Sequence, residues 1–112
     1  MKQLSSGKIG IAEGSTVMFS DFADGGAMWT GQGDRESRHG IGFSEPFRER
    51  PSVMVGNSMW DIVHRHTLRA DTAAEKVSKT GFDLVFRTWG DTRDTRVRAA
   101  WTAIGPLRDD ED

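Results

Sequence analysis

The segment Thr88-Trp89-Gly90-Asp91-Thr92-Arg93 brings an indole, hydroxyls, a carboxylate and a guanidinium into one short stretch. A tryptophan at a strand end offers an apolar plate to C–H groups, and neighbouring Asp and Arg side chains can hydrogen-bond hydroxyls. Sugars present that mixture of C–H patches and hydroxyl edges. The same residues also read as a Trp packed on its own core, followed by an ordinary Asp-Thr turn. Composition and spacing alone favour this second reading.

Other chemistry is thinner. His64 and His66 would share one face of a strand and could join Asp61 as metal ligands, but their spacing does not make them converge, and an exposed loop or strand end accounts for them better. Carboxylates are plentiful enough for a glycosidase pair, yet no spacing selects two of them. The chain contains no Gly-x-Ser-x-Gly elbow, no phosphate loop and no His-Glu-x-x-His helix. Gly31-Gln32-Gly33 starts like a dinucleotide fingerprint, lacks the third glycine and the helix, and reads as a turn. Zero cysteines exclude a disulfide scaffold, a thiolate metal site and a cysteine nucleophile. No enzyme activity, cofactor or metal is expected.

The elements that must position Trp89 follow from length and patterning. A chain of 112 residues builds one hydrophobic core, and 36% hydrophobic residues are enough to form it. Residues 1–106 read as the domain and 107–112 as an acidic, solvated tail. The net charge is -2. Without residues 108–112, 14 basic residues face 13 acidic ones, so the body lacks the positive field that sequence-independent nucleic-acid binding requires. No apolar run approaches the roughly 20 residues that span a bilayer, and the start lacks the basic-then-apolar pattern of a secretion signal. Membrane insertion is not expected, and the compartment stays open.

Ten glycines and two prolines before Trp60 break any helical window in that half. Period two recurs instead. In 81–89, Phe82, Leu84 and Phe86 share one face while Asp83 and Arg87 share the other, as in a half-buried strand. In 96–104, Val97, Ala99, Trp101 and Ala103 alternate with Arg96, Arg98 and Thr102. Further strands are expected at 52–60, 41–47 and 67–77, with two short ones at 7–11 and 16–22 around a turn at Glu13-Gly14. A glycine-rich charged loop carrying Met28 and Trp29 is expected over 24–40. Six or seven short strands with turns between them predict an all-β fold, an antiparallel β-sandwich.

Phe43-x-x-Pro46-Phe47, Pro51-x-Val53, Asp61, Leu68-Arg69, Thr80-Gly81-Phe82, Thr88-Trp89 and Trp101 occur in an order and spacing that resembles the H-type lectin domain family, with Ser6-Gly7-Lys8-Ile9 as its opening strand. The resemblance implies a six-stranded antiparallel β-sandwich and no enzyme activity. It implies a homotrimer, sometimes paired into a hexamer, with sites for galactose or N-acetylgalactosamine near subunit boundaries. On this resemblance Trp89 packs against the sugar and Arg69 donates to its hydroxyls, a role suited to a rigid fork of donors. Gly90 stands where one member of the family carries a histidine. The family's acceptor aspartate falls near Gln32 or Asp34, and Asp34 is preferred because a carboxylate accepts more strongly. Asp91 is a further candidate acceptor.

The reading that results is a non-enzymatic carbohydrate-binding domain. The alternative is a structural or adhesion subunit of a phage tail or phage-derived particle, with particle proteins as partners. Arg93, Arg96 and Arg98 form a basic row that either meets a neighbouring subunit or lies solvated.

Overall fold

The computed structural model describes residues 1–4, 6–19, 33–62, 69–90, 92 and 94–108. Six strands run through them: β1 (Ile9–Phe19), β2 (Arg35–Gly42), β3 (Ser52–Ile62), β4 (Asp71–Glu75), β5 (Gly81–Thr88) and β6 (Asp94–Pro106). They form two three-stranded antiparallel sheets, ordered β1-β6-β3 and β2-β5-β4. The expected six-stranded antiparallel β-sandwich is the fold found.

The core follows the alternation of β5 and β6. Phe82, Leu84 and Phe86 of β5 and Val97 and Ala99 of β6 are buried together with Met18 of β1. Val53, Val55, Ala74 and Trp101 pack against them. At one end Phe82 meets Trp101 edge-on at 5.4 Å between ring centroids, and Phe43 meets Phe47 edge-on at 5.1 Å. Edge-to-face pairs of this kind add to what area burial alone supplies. The indole of Trp101 thus belongs to the core.

Two strand expectations are corrected. Residues 9–19 form one strand rather than two around a turn at Glu13-Gly14. The long β6 pairs with β1 from Ile9↔Pro106 onward, and Gly14 sits opposite Trp101 within that ladder. A β-carbon on Gly14 would lie 2.8 Å from the Trp101 ring, so this glycine makes room for an indole and does not turn the chain. The second correction concerns the strand expected at 41–47. The strand is β2, which begins at Arg35 inside the expected loop and ends at Gly42. Beyond it, Phe43 and Phe47 enter the aromatic cluster, and Phe47 forms an isolated bridge with Leu107.

Strand β2 shows little apolar alternation because Arg35, Ser37 and His39 of its four inward residues are polar and are satisfied locally, and Ile41 alone of the four packs on the core. Ser37 Oγ donates to the Met18 carbonyl at 2.9 Å, and His39 Nε2 lies 3.0 Å from the same oxygen, which can only accept. Its outward residues Glu36 and Arg38 pair in register with Arg87 and Val85 of β5. Strand β4, whose Ala73-Ala74-Glu75-Lys76 run has helical propensity, pairs with β5 over Asp71–Glu75 and stops where Lys76 takes a φ of 52°. Leu107, placed with the tail by composition, donates its N–H to the Lys8 carbonyl at 2.8 Å.

The outer face of β2-β5-β4 carries an ion-pair lattice. Arg38 Nη1 bonds Asp83 at 2.8 Å, and its Nη2 bonds Glu36 at 2.8 Å and Glu75 at 2.9 Å. Arg87 reaches Glu75 at 2.6 Å and Glu36 at 3.0 Å. Because Arg38 joins all three strands, its guanidinium crosses β5 at Val85. This explains why Val85, which points away from the sandwich interior, has 0% exposure.

Candidate functional site

At one end of the β2-β5-β4 sheet, the start of β2 lies beside the end of β5, with Arg35 paired to Thr88 and Glu36 to Arg87. Alternation turns Arg35 and Thr88 inward and both are buried. Continued one residue past each strand end, the same alternation brings Asp34, Glu36, Arg87 and Trp89 to the outer side. There a cleft of about 420 Å³ is lined by Asp34, Arg35, Glu36, Arg87, Thr88 and Trp89. Trp89 is 42% exposed, so it is not consumed by packing on its own core.

The loop backbone around the cleft is tied down from below. The Gly33 N–H donates to the Gly90 carbonyl at 3.0 Å. Arg35 donates from Nε to the Gly33 carbonyl and from Nη2 to the Gly90 carbonyl, both at 3.1 Å. Gly90 has a φ of 70° and Gly33 a φ of 78°, both in the left-handed region that glycine enters without steric cost. Thr88 Oγ1 donates to the Arg69 carbonyl at 2.5 Å, which fixes the segment before β4 to the end of β5.

Of the residues the sequence singled out, Asp34 and Trp89 share the cleft. Gly90 forms the turn directly behind Trp89. Arg69 lies over Gly90: a β-carbon on that glycine would stand 3.0 Å from Arg69 Nη1 and 3.1 Å from its Cζ. Its guanidinium therefore occupies the side of the turn where another residue's side chain would project, and Arg69 is not among the residues lining the cleft. Gln32 and Asp91 lie outside the described residues, as do His64, His66, Met28, Trp29 and Arg93. Among the described residues no cluster of His, Asp or Glu is arranged to hold a metal ion. Trp60, beside Asp61 on β3, is exposed on the other sheet.

Sequence reasoning missed Arg35, Glu36 and Arg87. Arg87 reads as part of a solvated strand face, and Glu36 as part of a loop. Their 3.0 Å contact exists only through the β2–β5 register. The resulting wall is amphoteric. Glu36 Oε1 accepts from both Arg38 and Arg87, while the exposed Asp34 supplies a carboxylate facing solvent. An indole face bordered by acceptors and donors can take a ligand that offers both C–H surface and hydroxyls.

A profile of the H-type lectin domain matches residues 38–104. The chain belongs to the H-type lectin domain family. The matched span holds Arg69, Arg87, Trp89 and Gly90, and Asp34, Arg35 and Glu36 lie just before it. A protein of Fuscovulum blasticum described as ATP synthase subunits region ORF 7 is 57% identical over 104 residues, which cover 93% of this chain and 90% of that protein. Among solved structures, recombinant discoidin II of Dictyostelium discoideum aligns with a TM-score of 0.76 at 22% identity, over 94% of this chain. Wild-type discoidin II aligns equally well, with a TM-score of 0.76 over 93% of this chain. The chain spans 39% of the length of the first discoidin II chain, and at that identity the likeness is one of fold. As an H-type lectin domain, the chain is a lectin-like module built on this sandwich.

Proposed function

We propose that this H-type lectin domain binds a galactose- or N-acetylgalactosamine-type sugar, or a cell-surface polysaccharide built from such units, in the cleft at the β2–β5 end. The observation that carries the reading is Trp89, which leaves β5 and stands exposed beside a cleft with Asp34 and Glu36 on its wall. The indole takes the apolar face of the sugar ring, and the carboxylates accept from its hydroxyls. Charge-assisted bonds of this type are about twice as strong as neutral ones. Arg69 and Gly90 complete the turn behind the indole, with Gln32 as a further candidate from the family resemblance and Asp91 as a further candidate acceptor.

The domain acts as a homotrimer. The outer face of β1-β6-β3 supports this, because Ile9, Ile11, Val17 and Met54 are all exposed there. Soluble monomers rarely leave broad apolar patches uncovered. Three sites on one particle raise the avidity for a multivalent glycan without any new contact.

A glycan array followed by calorimetry tests the binding. Galactose-type glycans should bind the wild type, and Trp89→Ala should lose that binding while still folding. Absence of binding by the wild type on both, or an unchanged affinity in Trp89→Ala, would sink the proposal.

A further inference from the structure

We propose that Arg35 is the positioning residue of the cleft, holding Asp34 and Trp89 in one fixed relation, an inference that rests on the sugar-binding reading for its functional consequence. Arg35 is 9% exposed and enters β2 facing the sandwich interior, opposite Thr88. A guanidinium withdrawn from water needs acceptors in place of it. Here two of them are backbone carbonyls from different parts of the chain, Gly33 before β2 and Gly90 after β5, each at 3.1 Å. The Gly33 N–H closes the loop by donating to the same Gly90 carbonyl at 3.0 Å.

The two residues that face the ligand are each held on both sides by this arrangement. Asp34 lies between Gly33, whose carbonyl accepts from Arg35, and Arg35 itself. Trp89 lies between Thr88, buried and bonded to the Arg69 carbonyl, and Gly90, whose carbonyl takes the other end of Arg35. Arg35 therefore links the backbone segment that carries the acceptor to the one that carries the indole. A planar guanidinium can donate along two directions at once from a rigid frame, and a lysine ammonium is a single point. The site needs that fork because the carbonyls it joins belong to separate segments. With the fork in place, less ordering remains to be done when the ligand arrives.

The test uses the full chain, labelled with 5-fluorotryptophan, with Trp89 assigned through Trp89→Phe. Arg35→Lys keeps the charge and the stem but loses the two-carbonyl span, and Arg35→Met removes the head altogether. In Arg35→Lys the Trp89 fluorine resonance should shift or broaden, and affinity for the galactose-type glycan should fall about tenfold, with a lower melting temperature because a partly buried carbonyl loses its donor. Val53→Ala, a core substitution in the other sheet, should lower the melting temperature and leave the Trp89 resonance where it is. The proposal is overturned if Arg35→Lys leaves the Trp89 resonance in place, or if Val53→Ala moves it as much. Should Arg35→Met fail to fold, the lysine variant still decides the matter. Should the wild type bind no glycan, the sugar reading fails, and the fluorine signal still reports whether Arg35 positions Trp89.

Discussion

The guanidinium of Arg69 lies against Gly90, with Nη1 only 3.0 Å from where a β-carbon on that glycine would be. The absence of a side chain after Trp89 is thus what admits Arg69 to this side of the turn.

Replacing Gly90 tests that relationship. Gly90→Ala places a β-carbon at a φ of 70° and against Arg69, whereas Gly33→Ala places one at a φ of 78° with nothing within 4 Å. Left-handed strain alone costs about 1–3 kcal/mol. Both variants should melt below the wild type in calorimetry, and Gly90→Ala by the larger margin. Equal melting temperatures for the two would mean that the Arg69 contact contributes nothing.

Acid should expose the ion-pair lattice. The guanidinium of Arg87, and then that of Arg38, holds the Glu75 carboxyl down to about 2 from an ordinary 4.5. A carboxyl whose folded value lies below its unfolded one adds stability that is complete above the unfolded value and is lost as pH falls through the folded one. The contribution of Glu75 should therefore be level above about pH 4.5 and decline toward pH 2. The lattice is solvent-exposed, so the decline is modest and shrinks with salt. Melting curves of wild type and Glu75→Gln across that range should converge at the acid end, and parallel curves would contradict the assignment.

Arg38 also shields Val85 from water. Arg38→Ala should lower the melting temperature by removing both the ion pairs and the aliphatic cover, while Arg38→Leu should recover most of the loss if cover dominates. A leucine variant as unstable as the alanine one would assign the effect to charge.

The outer face of β1-β6-β3 gives the oligomer its own test. Ile11, 63% exposed, is paired with Ile104 of β6, one strand over from β3 and Met54. A homotrimer closed through this face should dissociate in Ile11→Glu, read as a fall in mass by light scattering. A mass that stays trimeric would move the interface elsewhere, and a wild type that is already monomeric would remove the trimer.

Much of the fold was legible because strand alternation is a local signal. The faces of β5 and β6 could be read from Phe82, Leu84 and Phe86, and from Val97, Ala99 and Ala103, since burial of one side of a pleated strand writes itself into every second residue. Strand β2 was hidden because Ser37 and His39 face inward and find their partner in a carbonyl of β1, so no apolar period marks them. The turn expected at Glu13-Gly14 failed because a glycine can serve a neighbouring indole as well as a bend, and only the position of Trp101 distinguishes the two.

By itself, then, the sequence determined that the chain is an all-β sandwich with Trp89 at the end of a strand, and placed Asp34 among the candidates for its partner. Tertiary structure decided that Asp34 and Trp89 line one cleft, that Glu36 and Arg87 form its wall, and that Arg35 ties the two edges together from beneath. The division has a physical cause. Alternation is set residue by residue along one strand, whereas the pairing of Arg35 with Thr88 and of Glu36 with Arg87 depends on register between segments about fifty residues apart, which no local pattern encodes.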